Sequence, residues 1–377
     1  MWDFHTPMES RRPQPTRTLT PFVNRIAGLQ PIVAVHASND SSYFVACQDG
    51  DSPVLVGAGG KQLGYCAAGE RGLLDVVQCK GHRAPVTSSS PDPTDAKHFY
   101  TASQDGTARQ WSEALFERKS LYVVKHGTGQ LTDTVTVESV LGLSPKVGDG
   151  LFCTAGSDGL VQVWDCRVKY RPGGCAAFWD VHAVSFGKDA TPARTGAKSR
   201  RKAVDPFEAA KHTGGMAEVT GSVATLAVRV GDVVKMLDLR KPFSKGGSLV
   251  CEPLRGLPSC GDTTPVRPCR DPSHFVTCTT REGYNHVVGG HVVQFGGVEG
   301  GYQCVSTWRS GRPDEDALSV CCGSAGEMFC GLSSGVVVVQ PDATQSAPVC
   351  QWLGTRPSNE SGEKRHRLEV DEEETIF

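Results

Sequence analysis

The chain has 377 residues, a length that accommodates one large repeat fold or two ordinary domains. Its 43 glycines and its low aromatic content of 7% are typical of many short strands and turns and argue against a helical bundle. The formal net charge of −2 argues against binding of nucleic acid or another polyanion by the chain as a whole.

The cysteines indicate a reducing compartment and argue against a disulfide framework and a zinc site. There are 15 of them, and several lie within apolar runs, including Cys47, Cys153, Cys278 and Cys330. No CxxC pair occurs, so the spacing of a disulfide framework or a zinc site is missing. We therefore expect buried thiols in a reducing compartment, with no metal and no other cofactor. No apolar run approaches membrane-spanning length, and no membrane contact is expected.

One local pattern recurs along the chain. A β-prone run leads into a turn, and a second β-prone run then places a large residue about six positions after the Asp of that turn. Successive large-residue positions lie 45 to 73 residues apart, at or above the repeat of about 40–45 residues typical of a four-stranded unit. The widest gap marks an insertion. The positions are Trp2, Leu55, Trp111, Trp164, Leu237, Phe295 and Gln340.

The clearest copy of the pattern predicts a network of polar side chains. An Asp in the turn can accept a hydrogen bond from a His on the entering loop, and that His can bond a Ser on the second strand. The same Ser can reach the N–H of a Trp on the third strand, which would complete a structural rather than a catalytic network. The predicted members are His82, Ser103, Asp105 and Trp111, with Asp158 and Trp164 at matching positions of the next copy.

The combination of Gly-His, Asp-Gly and Trp is the pattern of a WD repeat, in which each copy forms one four-stranded blade. We therefore predict an all-β WD-repeat β-propeller with seven blades. Only six copies have enough upstream sequence for a whole blade, because Trp2 and Asp3 supply just the end of the first. Residues 1–30 are expected to be the end of a truncated first blade and a linker, and residues 31–345 the propeller.

Two charged segments are predicted to be flexible. Residues 186–215 form a basic insertion with seven Lys or Arg against three Asp or Glu. Residues 346–377 form a charged tail, basic at first and acidic at its end, which we expect to be disordered. The insertion contains a candidate nuclear-import signal or phosphate-contacting loop, with a plain solvated insertion as the alternative. Its residues are Lys198, Arg200, Arg201 and Lys202.

No motif indicates an active site. Gly331 to Gly335 fits G-x-S-x-G, but a nucleophile elbow requires a helix after the turn, and Val336 to Val339 predicts a strand. Gly57 to Lys61 resembles a phosphate-binding loop but lacks its first Gly and the Ser or Thr after the Lys, so it predicts a hairpin turn. His82 is interpreted as the histidine of a blade and the remaining histidines as surface residues. We expect no catalytic, cofactor-binding or metal-binding residues and a protein that is not an enzyme.

Two short Asp-x-Arg motifs, called boxes here, begin directly after the large-residue position in two copies of the repeat. Trp164-Asp165-Cys166-Arg167 fits W-D-x-R, and Leu237-Asp238-Leu239-Arg240 repeats it with Leu in place of Trp. In propellers that recruit cargo to cullin-RING ubiquitin ligases, such a box presents an Arg to the ligase adaptor, and the planar fork of Arg suits such a contact. The alternative is that Asp and Arg simply close a blade turn. The candidate adaptor-binding residues are Asp165, Arg167, Asp238 and Arg240.

Several stretches in conserved order resemble the gastrulation-defective / WD repeat-containing protein 70 family. The resemblance implies a nuclear propeller protein linked to ubiquitin ligases in chromatin and DNA-damage responses, with the cytoplasm as an alternative location. A scaffold of a ribonucleoprotein assembly that processes RNA is the alternative function. The family has an acidic N-terminal region, a complete first blade and a long basic C-terminal region, none of which is present here. The similar stretches are residues 1–4, 28–31, 75–111, 237–258 and 317–339.

Overall fold

The computed structural model of the chain describes most of its central part. The described residues are 30–70, 72–127, 135–181, 213–220, 224–240, 249–251, 253–255, 257, 265–269, 271–283, 286–298, 301–309, 317–322, 328–332, 335–340 and 349–352. They form 23 β-strands in six sheets and one short 3-10 turn, Val76–Gln78. Five sheets have four strands and one has three, and the strands of each sheet follow one another in chain order.

The strands separate into two compact units, and the first contains three four-stranded antiparallel sheets. The first sheet comprises β1 (Ile32–Ala37), β2 (Tyr43–Gln48), β3 (Val54–Gly57) and β4 (Gln62–Tyr65). The second comprises β5 (Val86–Pro91), β6 (His98–Ser103), β7 (Thr107–Ser112) and β8 (Tyr122–Lys125). The third comprises β9 (Val137–Gly142), β10 (Leu151–Gly156), β11 (Leu160–Asp165) and β12 (Ala177–Asp180).

The second unit contains the remaining three sheets. The fourth sheet has three strands, β13 (Thr213–Thr220), β14 (Ala224–Val230) and β15 (Val233–Asp238). The fifth comprises β16 (Val266–Pro268), β17 (His274–Gly283), β18 (His286–Val298) and β19 (Gly301–Arg309). The sixth comprises β20 (Ala317–Cys322), β21 (Met328–Leu332), β22 (Gly335–Gln340) and β23 (Val349–Trp352).

The repeat pattern of the sequence corresponds to a fixed place in each sheet. The large residue of every described copy lies on the third strand, so six copies correspond to six sheets and the predicted all-β class is confirmed. The residue of the predicted incomplete first blade, Trp2, lies outside the described residues. The six positions are Leu55 on β3, Trp111 on β7, Trp164 on β11, Leu237 on β15, Phe295 on β18 and Gln340 on β22.

Apolar side chains fill the spaces between neighbouring sheets of the first unit. Trp111 and Phe99 are fully buried, with ring centroids 6.4 Å apart, in a cluster that also contains Leu55 of the first sheet. Tyr100 stacks on Phe152 of the third sheet at 4.7 Å in a second cluster. Because Leu55 is fully buried in this way, the first sheet is held by packing at the position where the next two sheets carry a Trp.

Asp-Gly turns connect the second and third strands. Gly106 and Gly159 have φ values of +78° and +77°, which a residue with a Cβ adopts only with strain. The Asp before each glycine accepts a hydrogen bond from the backbone N–H two residues on, as Asp105 does from Thr107 at 2.9 Å. The turn chemistry expected from the sequence is therefore present.

Two predicted segment boundaries need correction. The strand β13 begins at Thr213, so the last three residues of the predicted flexible insertion, residues 213–215, lie in a sheet. The strand β23 pairs with β22 through Val349 to Trp352, within the range predicted to be a disordered tail. These four residues include Val349 and Trp352, and β-branched and aromatic side chains favour strands. Residues 1–29, 182–212 and 353–377 lie outside the described residues.

Helical structure is nearly absent from the part of the chain that the structure describes. Residues 90–165, where a long helix would have contradicted the predicted class, contain strands and turns wherever they are described. Within the described ranges, no helix has the length and apolar character needed to cross a bilayer.

Candidate interaction site

A buried polar network joins the entering loop of the second sheet to its second and third strands. His82 Nδ1 lies 3.3 Å from Asp105 Oδ2, and His82 Nε2 lies 2.7 Å from the hydroxyl of Thr101. Trp111 Nε1 donates to the same hydroxyl at 2.7 Å. The side chains of His82 and Asp105 are only 4% and 3% exposed, so the network satisfies groups that water cannot reach.

The predicted role of Ser103 in this network is wrong. Its hydroxyl donates to the Ala84 carbonyl at 3.0 Å and accepts from the Asp105 N–H at 3.1 Å. Trp111 stands opposite Phe99 on the neighbouring strand, so Thr101 is its diagonal neighbour. Ser103 lies two residues further on, roughly 7 Å beyond Thr101 at about 3.3 Å per residue, and is out of reach of the indole.

The third sheet repeats the network with the same ten-residue spacing from Thr to Trp, whereas the His lies further ahead in the chain. His126 Nδ1 lies 2.7 Å from the Thr154 hydroxyl, and His126 Nε2 lies 3.2 Å from Asp158 Oδ1. Trp164 Nε1 donates to Thr154 at 2.9 Å. His126 is fully buried, so the interpretation of every histidine other than His82 as a surface residue is wrong.

Burial and hydrogen bonding set the charge of the first network. Burial lowers the pKa of His82, against the opposing effect of Asp105, so the ring is neutral near pH 7. Burial alone would raise the pKa of Asp105, but His82, the Thr107 hydroxyl and the Arg83 N–H together hold it well below its usual range. The aspartate is therefore an anion that accepts hydrogen bonds from all three.

These shifts predict acid-sensitive folding. Because the pKa of His82 is lower in the folded chain than in the unfolded one, the unfolded state binds more protons as the pH falls below about 6.5. The stabilisation is fully present above that pH and is lost as the pH falls toward the folded-state pKa. Between pH 7.5 and pH 5.5, we expect the contribution of His82 to lower the free energy of unfolding. Urea denaturation at both pH values measures this loss.

The matched variants are His82→Gln and His98→Gln. The His82→Gln protein should lose part of the pH dependence, whereas His98→Gln, which removes a more exposed ring, should keep it. An equal pH dependence in the wild type and the His82→Gln protein would contradict the assignment.

A buried arginine, not foreseen from the sequence, holds the loop that precedes His82. Arg109 is fully buried on β7. Its guanidinium donates to the carbonyls of Cys79 at 2.8 Å and Val76 at 2.6 Å, and to the Ser120 hydroxyl at 2.9 Å. The planar guanidinium of Arg holds its N–H donors in a fixed arrangement that bridges these two carbonyls. Arg109 thus fixes the loop that precedes His82 to the third strand of the sheet, β7.

The two Asp-x-Arg boxes have the same local geometry in two sheets. Asp165 is the last residue of β11, and its carboxylate accepts from Arg167 Nε at 2.9 Å and Arg167 Nη2 at 2.8 Å. Asp238 ends β15 and accepts from Arg240 Nε and Nη2 at 3.0 and 3.1 Å. In both boxes the Arg backbone N–H also donates to the Asp, which closes the turn.

Each box combines an ordered carboxylate with an exposed cation. The side chains of Arg167 and Arg240 are 62% and 58% exposed, whereas those of Asp165 and Asp238 are 19% and 5% exposed. Hydrogen bonds from Arg167 lower the pKa of Asp165, and the carboxylates raise the pKa of both arginines. The Asp uses two of the five N–H groups of a guanidinium, so an acceptor on a partner protein could bind the others.

The first box lies beside a second anchor. The Tyr122 hydroxyl, on the last strand of the preceding sheet, contacts the Asp165 carbonyl at 3.3 Å and the Val168 carbonyl at 2.8 Å. Val168 is 58% exposed, so an apolar side chain stands next to the cation of Arg167. The turn is thereby held by the neighbouring sheet while it presents both groups to solvent.

The other motifs do not form a chemical site in the described residues. β21 and β22 are antiparallel neighbours, so a strand follows Gly331 to Gly335, as predicted, and the requirement of a nucleophile elbow for a helix is not met. Gly57 to Lys61 connects β3 to β4 as a hairpin turn. Within the described ranges, no three His, Cys, Asp or Glu side chains are grouped to hold a metal ion. The candidate import signal, residues 198–202, lies outside them.

Comparison with known proteins identifies the repeat. The WD domain, G-beta repeat family model matches residues 75–112, which contain the first polar network. The chain therefore contains a segment similar to a WD repeat. Two solved structures share the fold of this chain, which is that of a β-propeller. The Cps50 (Swd1) β-propeller domain of Myceliophteria thermophila has a TM-score of 0.53 and 10% identity, covering 82% of this chain and 83% of that one. U3-55K has a TM-score of 0.54 and 12% identity, covering 84% and 79%.

Curated relatives of this chain confirm the resemblance predicted from the sequence. WD repeat-containing protein 70 of Xenopus tropicalis is 26% identical over 153 residues, which cover 38% of this chain and 24% of that protein. The Homo sapiens protein of the same name is 25% identical over 141 residues, covering 37% and 21%. The Gastrulation defective protein 1 homolog of Drosophila melanogaster is 31% identical over 108 residues, covering 28% and 15%. The chain thus matches a quarter or less of the length of these relatives.

Proposed function

We propose that this protein is a non-enzymatic nuclear scaffold that contacts an adaptor of a cullin-RING ubiquitin ligase through Arg167 and Arg240. A WD-repeat propeller is a platform for protein–protein interactions, and the proposal assigns a partner and a contact to that platform. The observation that carries it is the repetition of one Asp–Arg pair, in which the Arg is exposed, at the end of the third strand in two sheets.

The geometry of the pairs suits recognition better than stability. An exposed ion pair contributes little to folding, typically less than about 1 kcal/mol. The same pair fixes the orientation of the guanidinium before a partner arrives, which reduces the entropy lost on binding. Arginine is also among the residues whose truncation most often costs 2 kcal/mol or more at an interface, about a thirtyfold loss of affinity. Repetition of an exposed, pre-oriented Arg therefore favours a contact role.

The nuclear assignment is supported by two further observations. The first is the similarity of the chain to WD repeat-containing protein 70 and the Gastrulation defective protein 1 homolog. The resemblance to this family implies a nuclear propeller protein in chromatin and DNA-damage responses. The chain also carries a basic run at residues 198–202 that fits an import signal. A ribonucleoprotein scaffold is the competing function, because the same basic run could contact an RNA backbone. The run has no interleaved aromatic side chains for base stacking, which favours the protein partner.

Affinity purification from nuclear extract tests the proposal. The tagged wild type should retrieve a cullin-RING adaptor with and without nuclease, because the contact is made by protein. The Arg167→Ala, Arg240→Ala double variant should retrieve the adaptor at least thirtyfold less efficiently. Its thermal melting should stay close to that of the wild type, since both arginine side chains are exposed and each Asp keeps the backbone N–H of residue 167 or 240 as a donor.

The control is the Arg118→Ala, Lys119→Ala double variant, which removes two exposed positive charges elsewhere on the first unit. It should retrieve the adaptor as the wild type does. Retrieval of the adaptor by a normally melting Arg167, Arg240 variant would overturn the proposed contact. Loss of all partners after nuclease treatment would favour the ribonucleoprotein function instead.

A further inference from the structure

Two cysteines meet where the fifth and sixth sheets pack together. Cys269 directly follows β16, and Cys322 is the last residue of β20, so both lie at the ends of the first strands of neighbouring sheets. The two strands are in contact, and both thiols pack against the same apolar cluster. Their Sγ atoms lie 3.6 Å apart although the residues are 53 positions apart in the chain.

The surroundings of the pair favour reaction at Cys322. The shared hydrogen bond lowers the pKa of the Cys322 thiol and raises that of Cys269. Gln294 Nε2 donates to Cys269 Sγ at 3.8 Å, which partly opposes the rise in the pKa of Cys269. Both thiols are partly exposed, so a small oxidant in solvent can reach them.

Neighbouring cysteines lack this combination of proximity and access. Cys278 and Cys330 belong to the same apolar cluster but are buried. Cys321 is exposed, but it precedes Cys322 on β20, and successive side chains of a strand point to opposite faces. Cys269 is therefore the partly exposed thiol that lies in direct contact with Cys322.

We propose that Cys269 and Cys322 form a peroxide-sensitive thiol pair that closes to a disulfide between two adjacent sheets. This assignment is independent of the proposed adaptor contact, which lies on other strands. The pair would be reduced in a reducing compartment and oxidised when hydrogen peroxide is present.

Oxidation of the two thiols to a disulfide takes two steps. The Cys322 thiolate attacks one oxygen of the peroxide, so that an S–O bond forms, the O–O bond breaks, and the second oxygen leaves as water after protonation. The Cys269 thiol then attacks the sulfur of the Cys322 sulfenic acid, so that the S–S bond forms, the S–O bond breaks and a second water leaves. The two thiols lose two electrons and one peroxide is reduced to two waters.

The expected consequence is a stiffer contact between the two sheets. A cross-link between residues so far apart in the chain restricts the unfolded state and stabilises the folded one. The oxidised protein should therefore melt at a higher temperature than the reduced protein, and dithiothreitol should reverse the change.

Peptide mapping of the full chain tests the proposal. Reduced protein is treated with stoichiometric hydrogen peroxide, free thiols are blocked with N-ethylmaleimide, and the digest is analysed without reduction. We expect a linked peptide that joins Cys269 to Cys322 and that disappears on treatment with dithiothreitol.

Matched variants make the result decisive. The Cys321→Ser protein should still form the linked peptide, whereas Cys269→Ser and Cys322→Ser should not form it and should melt like the reduced wild type. The proposal is overturned if Cys269 and Cys322 stay free while other cysteines oxidise, or if Cys322 links to Cys321, Cys278 or Cys330. Normal melting of the serine variants under reducing conditions shows that any loss of the cross-link does not come from misfolding.

Discussion

Replacing Trp111 by Ala is expected to lower the free energy of unfolding by about 3–5 kcal/mol, the range for removal of a large aromatic from a core. The indole is fully buried, stacks on Phe99 and donates its N–H to Thr101, so both apolar contact and a hydrogen bond are lost. Urea denaturation followed by far-UV circular dichroism measures the change.

Two further variants separate the contributions. Trp111→Phe keeps most of the apolar volume and removes only the N–H, so it should cost less, about 1–2 kcal/mol. Leu121→Ala truncates a side chain that is 42% exposed and should change stability by no more than about 0.5 kcal/mol. A Trp111→Ala protein as stable as the wild type would show that the large-residue position is not part of a core.

Replacing Arg109 by Met is expected to destabilise the chain by about 2–3 kcal/mol, because it removes the guanidinium donor from the buried Cys79 carbonyl and leaves the Val76 carbonyl with only the Cys79 N–H at 3.3 Å. The effect should be largest in the loop that these carbonyls belong to, where Leu74 is 91% exposed. Hydrogen–deuterium exchange should therefore rise across residues 72–80 before it rises in the strands.

The control for this change is Arg118→Met, which removes an exposed guanidinium from the same sheet region and should leave both stability and exchange unchanged. If Arg109→Met behaved in the same way, the loop would be held by its other contacts, such as the Asp75 side chain that accepts from the Val77 N–H at 3.0 Å. The importance assigned to the buried guanidinium would then be wrong.

The sheets were predictable because their signals are local. Asp-Gly turns need glycine at positive φ, and a fixed count from the turn places a large residue on the third strand. These features hold even where the residue differs, as for Leu55 and Phe295, because the position is buried whatever side chain fills it.

The members of the polar network were less predictable because they depend on register between strands. Ser103 and Thr101 both carry a hydroxyl on the same strand, and only the pairing of Phe99 with Trp111 decides which one the indole reaches. One signal was available: the next copy has Gly156 at the position of Ser103 but retains a threonine ten residues before its Trp, at Thr154.

Burial of charged and titratable residues was missed for a related reason. Arg109 and His126 look like ordinary polar residues in the sequence, and arginine is rarely buried without partners. Their partners are backbone carbonyls and a threonine distant in the chain, which composition does not reveal. The strand β23 was missed because it follows the last recognised copy, and its pairing with β22 is visible only in the sheet.

The most direct test of the proposed contact is hydrogen–deuterium exchange of the purified chain with and without a purified cullin-RING adaptor. If Arg167 and Arg240 form the contact, peptides that contain residues 165–168 and 238–240 should exchange more slowly in the complex. The turn of the first polar network, around Asp105, should be unaffected, since its side chains already bond to one another. Protection confined to other peptides, or no protection at an adaptor concentration that saturates binding, would contradict the proposal.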